Sequence, residues 1–216
     1  MVILGAGGFA EELIDVFIKS NKYKNEKFYF FDEIDKTRSS LFSFKVLHSI
    51  EEVVNVFKHD SNKFCLGVGT PKSRYNLSKK FEQLGGELIT IVSTESIIGS
   101  FNVKIGKGSC VMGKSSLSNN VTIGKGTLIN VDALIGHDVV IGDFSDISPG
   151  AKITGHCKIG KYVMIGTAAV ILPKVKIGSN SFIAAGTVIA NDVPENSVVV
   201  GIVPSRVVKK LPEFEE

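Results

Sequence analysis

The 216-residue sequence has no tryptophan, three cysteines, four histidines and six prolines. Each shortage closes off a class of function. Cys65, Cys110 and Cys157 stand far apart, with no CxxC pair to hold zinc and no even set to build a disulfide framework. They read as free thiols in a reducing compartment. Charge of one sign is also scarce: 25 Lys and Arg stand against 22 Asp and Glu, a net +3 with no dense basic run. That excludes nucleic-acid or membrane-surface binding as the main function. The start, Met1-Val2-Ile3-Leu4-Gly5, has neither the basic nor the apolar region of a signal peptide, and no run approaches the length of a membrane span. A cytoplasmic protein is expected. The 44% hydrophobic content is enough for a buried core and excludes a disordered chain.

What is there is a repeat. From Ile105, every sixth residue is aliphatic through Val111, Leu117, Ile123, Ile129 and onward to Ile183 and Ile189. Four residues after each stands a small or β-branched residue, from Ser109 and Ser115 to Thr187 and Val193. Glycine is frequent in the second place of the hexad (Gly106, Gly124, Gly136, Gly142, Gly160, Gly166, Gly178), which suggests a tight corner there. A period of six suits neither an α-helix nor a hairpin sheet. It fits short strands joined at regular corners, three hexads to a triangular coil, with coils stacked about 4.8 Å apart. Fifteen hexads make five coils of a parallel β-helix. Only 13 of the 90 residues from 105 to 194 are charged, so some prism faces should be buried between subunits.

Residues 1–92 follow other rules. Val2-Ile3-Leu4 reads as a buried strand, Gly5-Ala6-Gly7-Gly8-Phe9 as a turn and Ala10 to Lys19 as an amphipathic helix. A second strand, Phe28 to Asp32, is followed by a polar loop, a helix near Ile50 to Phe57 and a strand from Phe64 to Val68. Pro71 to Leu84 reads as a helix stopped by Gly85-Gly86, and Leu88 to Val92 as a last strand leading into the repeats. The expected organisation is a small Rossmann-like α/β domain over 1–92, then the β-helix with its C-terminal tail over 93–216.

The run Gly5-Ala6-Gly7-Gly8 matches part of a dinucleotide fingerprint, with Ala10 in the third glycine place. Its geometry points backbone N–H groups and a helix dipole at an anion. Asp32 with Glu33 ends the second strand, and Gly69, Thr70 and Arg74 follow the third. All lie at the carboxyl edge where such sheets bind ligands, so a nucleotide-sized crevice is expected there.

Over nearly its whole length the chain resembles the sialic acid O-acetyltransferases and bacterial sugar-nucleotide N-acetyltransferases of the hexapeptide-repeat acyltransferase family. The resemblance rests on Gly5-Ala6-Gly7-Gly8, Asp32-Glu33, Gly69 with Arg74, the unbroken hexads and the segment from Asn130 through His137-Asp138 to Phe144. It implies a left-handed β-helix, a nucleotide-sugar site in the N-terminal domain, acetyl-CoA bound along the helix, and a homotrimer with active sites between subunits. It implies no metal. Two departures stand out: Asp146 lies where many relatives carry a second histidine, and Phe9 where several carry one after the glycine turn.

Acyl transfer to an amine or hydroxyl needs a base and an oxyanion donor. His48 and His59 lie in the first domain and read as ordinary histidines. His137 holds the third place of its hexad, outside both inward columns, and is the candidate base. Residues 18 apart should stack, which sets Gly155 above His137, Asn119 below it, and Asp138 beneath His156. Gly155 should leave open space beside the imidazole and offer its N–H to the oxyanion, with Asp138 orienting the base. Asn130, Asp146 and His156 are the expected neighbours of acetyl-CoA and acceptor. The expected reaction is acetyl-CoA-dependent N-acetylation of a nucleotide-linked amino sugar for surface glycan synthesis. The alternative is O-acetylation of sialic acid or another sugar hydroxyl. A β-helical zinc enzyme would need about three converging histidines, and the hexads hold only His137 and His156.

Overall fold

A computed structural model describes residues 1–201, 206–210, 212 and 213. It divides into two compact units, 1–69 with 73–89 and 70–72 with 90–216. Among the described residues no helix is long and apolar enough to cross a membrane.

The first unit is a mostly parallel sheet flanked by helices. Its strands are β1 (Val2–Leu4), β2 (Tyr29–Phe31), β3 (Ser40–Leu41), β4 (Phe44–Leu47), β5 (Lys63–Leu66) and β6 (Glu87–Leu88), in the order β3-β4-β2-β1-β5-β6. Only β3 runs antiparallel to its neighbour. Central β1 is wholly buried, as a strand covered on both faces requires. The helices are α1 (Gly8–Lys19), α2 (Ile50–His59) and α3 (Pro71–Gln83). Ala10, Leu13, Ile14 and Phe17 form the buried stripe of α1. Ser49 caps α2 by accepting from the Glu52 N–H. The hairpin β3–β4 lies where the sequence reads as a polar loop. Its turn places exposed Phe42 at φ 53°, with none of the glycine or asparagine signals that announce such turns.

The second unit is a left-handed parallel β-helix. Two-residue strands recur every six residues and pair with the strand 18 further on, as Ser116–Leu117 does with Leu134–Ile135. The hexad aliphatics and their fifth-place partners fill the interior, nearly all of them inaccessible to solvent. Each large aliphatic so buried contributes about 1.5–3 kcal/mol. At one corner the core hydroxyls bond to backbone: Ser109, Thr127 and Ser145 donate to the carbonyls of Gly124, Gly142 and Gly160.

Three expectations need correction. The strand expected over Leu88 to Val92 is two: Leu88 pairs with Phe64 in the first sheet, while Ile91–Val92 pairs with Cys110–Val111. The β-helix therefore begins a coil earlier than Ile105. That coil carries one extra residue, since Ile98 pairs with Leu117 and Ile105 with Ile123, and the phase shift hides it from a strict six-residue count. Finally, the corner conformation belongs to the fourth place of the hexad: φ is positive there in every hexad from Gly108 through Asp138 and His156 to Gly186. The second-place glycines have another cause. A Cβ on Gly142 would lie 2.6 Å from the backbone carbon of Gly160, so along the column Gly106, Gly124, Gly142, Gly160 and Gly178 the coils stack too closely for a side chain.

Candidate active site

The corner between the strands Leu134–Ile135 and Val140–Ile141 carries His137 and Asp138. Their side chains point away from the aliphatic core and are 58% and 38% exposed. Asp138 holds the left-handed conformation, φ 60°, which Asp tolerates better than most residues. His137 Nδ1 lies 2.7 Å from Asp138 Oδ2. A carboxylate only accepts, so Nδ1 is the donor, and in the neutral ring Nε2 is the acceptor. The hydrogen bond from His137 is the main reason the Asp138 carboxyl is held below the ordinary range, with the nearby His156 and a bond from Asn120 adding to it.

Stacking brings the next coil against this pair. The His156 N–H donates to the His137 carbonyl, 2.9 Å, and the two imidazoles meet edge to face with centroids 4.9 Å apart. His156 Nδ1 stands 3.8 Å from Asp138 Oδ2. Gly155 lies over His137 as the 18-residue offset predicts, but it does not leave open space: a Cβ there would sit 2.6 Å from Nε2 and 2.7 Å from Cε1. The imidazole itself fills the place, so the unprotonated nitrogen touches the Gly155 backbone. Base and candidate oxyanion donor are thus adjacent. One ligand atom from each of His137, Asp138 and His156 lies within 4.8 Å of the others. With Nδ1 committed to the carboxylate, the group is a hydrogen-bonded pair with a neighbour rather than a ready coordination set.

The expected neighbours of acetyl-CoA and acceptor divide. His156 joins the cluster. Asn130 accepts from the Val131 N–H, 2.8 Å, and so fixes its own turn. Asp146 is 4% exposed and lies in register with Leu128 and Met164, on the sheet that does not border the His137 corner. Within one chain it lies away from the His137 corner.

At the carboxyl edge of the first unit, Gly5 has φ 126° and its backbone packs on Gly67, where a Cβ would lie 2.6 Å from the carbonyl oxygen. Ala6 is buried. Gly7 caps α1 without a side-chain hydrogen bond, and nothing lies within 4 Å of a Cβ built on Gly7 or Gly8. The first turn of α1 is therefore open to an approaching anion. Asp32 Oδ1 accepts from the N–H groups of Ile34 and Asp35, 2.9 and 3.1 Å, which orders the loop after β2. Glu33 pairs with Lys80, 3.1 Å, at the surface. Gly69 and Thr70 lie between β5 and α3. Arg74 is a correction. It is wholly buried, donating to the carbonyls of Leu66 at 3.2 Å and Val68 at 2.8 Å. Its guanidinium braces the loop after β5 and is not presented to a ligand. His48, read from the sequence as an ordinary histidine, has ring nitrogens 2.8 Å from the carbonyls of Asp32 and Arg38 and pins the loop between them. Nothing local in the sequence marks that role.

Family comparison matches the PglD N-terminal domain over residues 1–81 and bacterial transferase hexapeptide repeats over 120–155 and 156–191. No protein of curated function matches the sequence significantly. Among solved structures, the chain is similar to WeeI from Acinetobacter baumannii, with 28% identity, a TM-score of 0.84 and coverage of 96% of this chain and 98% of that one. The acetyltransferase domain of PglB from Neisseria gonorrhoeae shares 26% identity, with a TM-score of 0.85 and coverage of 96% and 98%. PerB from Caulobacter crescentus, in complex with CoA and GDP-perosamine, matches in fold at 22% identity, with a TM-score of 0.85 and 96% coverage of both chains.

Proposed function

We propose, from the premise that this chain belongs to the hexapeptide-repeat sugar acetyltransferases, that it transfers the acetyl group of acetyl-CoA to the amine of a nucleotide-linked amino sugar. The observation that carries the reading is the His137–Asp138 pair, 2.7 Å apart, with the free nitrogen of His137 against the backbone of Gly155. Solved relatives that bind CoA and GDP-perosamine support it.

The acceptor amine attacks the thioester carbonyl and passes its proton to His137 Nε2. Asp138 stabilises the imidazolium so formed. The Gly155 N–H supports the oxyanion of the tetrahedral intermediate until CoA leaves as the thiol. Among the described residues no serine hydroxyl is hydrogen-bonded to His137, whose Nδ1 is taken by Asp138, and the reading is direct attack without an acyl-enzyme. Lys158 and Lys176, in register on adjacent strands, line an open groove of ≈ 730 Å³ whose lining also carries Asp192 and Glu195. The open first turn of α1, with Asp32 beside it, takes the nucleotide of the acceptor.

A homotrimer completes this site. Asp146 lies on a different prism face from His137, and Leu134 and Val140, flanking the His137 corner, are 41% and 44% exposed. A second subunit packed at that corner brings the acetyl donor and acceptor between chains. The test is thiol release from acetyl-CoA against UDP-, dTDP- and GDP-linked 3-amino and 4-amino sugars, with sialic acid included. Turnover with an amino-sugar nucleotide supports the reading, and turnover with sialic acid alone replaces it by O-acetylation.

A further inference from the structure

Fourth-place residues stack along each corner of the β-helix. On the corner that bears the candidate base, the column runs Asn102, Asn120, Asp138, His156, Lys174. The Asn102 Nδ2 donates to Asn120 Oδ1, 2.9 Å. That fixes the Asn120 amide. With its oxygen committed downward, its NH₂ faces Asp138, an anion that can only accept. The reverse orientation would set an amide oxygen against a carboxylate. The neighbouring third-place column has no such freedom: Asn119 Oδ1 accepts from the Phe101 N–H, 3.1 Å, so the asparagine directly under His137 is committed to backbone.

The backbone conformation does not account for the asparagines. Asn102, Asn120 and Asp138 have φ of 54°, 59° and 60°, a region where Asn and Asp are favoured. Yet Lys114, Phe144, Tyr162, Ala168 and Lys174 hold the same conformation at the same hexad place. An asparagine pair also occurs at Asn180 and Asn196, but there the Asn180 NH₂ donates both to Asn196 Oδ1 and to the Pro212 carbonyl, and no carboxylate is reached. At the His137 corner it ends on the carboxylate that orients the base.

We propose that Asn120, backed by Asn102, is a positioning residue for acetyl transfer: it donates to Asp138 from the coil below and holds that carboxylate on His137 rather than on His156. The inference rests on the acetyltransferase reading of the site. Its logic is a competition. Asp138 Oδ2 lies 2.7 Å from the Nδ1 of His137 and 3.8 Å from that of His156, and a carboxylate free to rotate is shared between two imidazoles. The charged and titratable groups at this corner are His137, Asp138, His156 and, one coil further, Lys174. With Asn120 in place the shorter contact wins. The Nδ1–H tautomer of His137 is then fixed and Nε2 faces the reacting groups. Without it, the carboxylate carries more unbalanced negative charge and swings toward His156, most strongly when His156 is protonated.

The test uses Asn120→Gly, which keeps the left-handed backbone and deletes the amide. In the thiol-release assay it should lower kcat about 2- to 10-fold, the loss of one modest hydrogen bond, with both KM values unchanged and the acidic limb of kcat moved to higher pH. His156→Asn in the same background should recover part of the loss by removing the competitor, a non-additivity that a packing role does not produce. Long-range ¹H–¹⁵N spectra of the histidine rings give a readout independent of any acceptor. The Nδ1–H signature of His137 should be strong in the wild type and weakened in Asn120→Gly. Wild-type kcat, pH profile and ring spectra in Asn120→Gly, with only a lower Tm, would overturn the proposal. His137→Ala run in parallel separates the two failures: full activity there sinks the site itself, whereas an inactive His137→Ala beside an unaffected Asn120→Gly sinks only the role of Asn120.

Discussion

Replacing Gly155 by alanine adds one methyl group at the most consequential point of the corner. Gly155 does not have a positive φ, so alanine fits the backbone and gains about 0.4–1 kcal/mol from a less flexible unfolded chain. The added Cβ, however, would lie 2.6, 2.7 and 3.2 Å from Nε2, Cε1 and Cδ2 of His137. Ordinary contact begins near 3.4 Å, so the ring must withdraw by about 0.8 Å. It can do so, being an exposed side chain with solvent beside it. Folding should therefore survive with Tm within a few degrees of wild type, while the base leaves its line to the substrate. A misplacement of about 1 Å costs on the order of 10²-fold, equivalent to about 2.7 kcal/mol of barrier. The assay is thiol release at saturating acetyl-CoA, paired with thermal unfolding. Gly142→Ala is the contrast: its Cβ would meet the backbone of Gly160 at 2.6 Å, which no side-chain motion relieves, so it should lose about 1–3 kcal/mol of stability. Wild-type kcat in Gly155→Ala, or a loss that merely follows unfolding as in Gly142→Ala, would refute the placement of His137 against Gly155.

His137→Ala should lower kcat about 10²- to 10⁴-fold with both substrates still bound. With an amine acceptor the defect should shrink as pH rises toward the amine's pKa, and a defect constant with pH would point to a hydroxyl acceptor. Because the folded-state pKa of Asp138 is depressed, its contribution is complete at neutrality and lost only as pH falls through that lowered pKa; Asp138→Ala should therefore lower kcat by the same factor at about pH 5 as at about pH 7, and wild-type kcat in that variant would contradict the assignment. Arg74→Ala should lower Tm, with about 2–4 kcal/mol lost from two abandoned carbonyls and a cavity, whereas Asp32→Ala should raise the sugar-nucleotide KM; a KM effect confined to Arg74→Ala would reverse these roles. Ser145→Ala removes a buried hydroxyl that donates to Gly160 and accepts from Val163, and calorimetry should show about 1–3 kcal/mol lost without change in the ring spectra of His137.

The β-helix was legible because its periodicity is long, regular and tied to burial. Fifteen aliphatics six residues apart leave one arrangement that hides them all, and the 18-residue offset then follows for every other position. That is why His137, Asp138, Gly155 and His156 could be brought to one corner from their numbers alone. The first unit was legible in its strands and helices, where apolar runs meet glycine and proline punctuation. It was not legible at β3–β4, where the turn has no turn chemistry, nor at Leu88 to Val92, where one continuous apolar stretch serves two sheets.

The sequence by itself determined the class of fold, the inward columns and which residues share a level of the prism, because each follows from a repeat that can be counted. Tertiary structure decided what counting cannot reach. The fourth place, not the glycine-rich second, takes the left-handed corner, since that is set by chain geometry whatever the residue. Arg74 turned inward to meet carbonyls left open after β5, a choice made by the packing of α3. The Asn102 amide settled which way Asn120 faces, because the direction of a hydrogen-bond ladder depends on its last acceptor, here the Asp138 carboxylate.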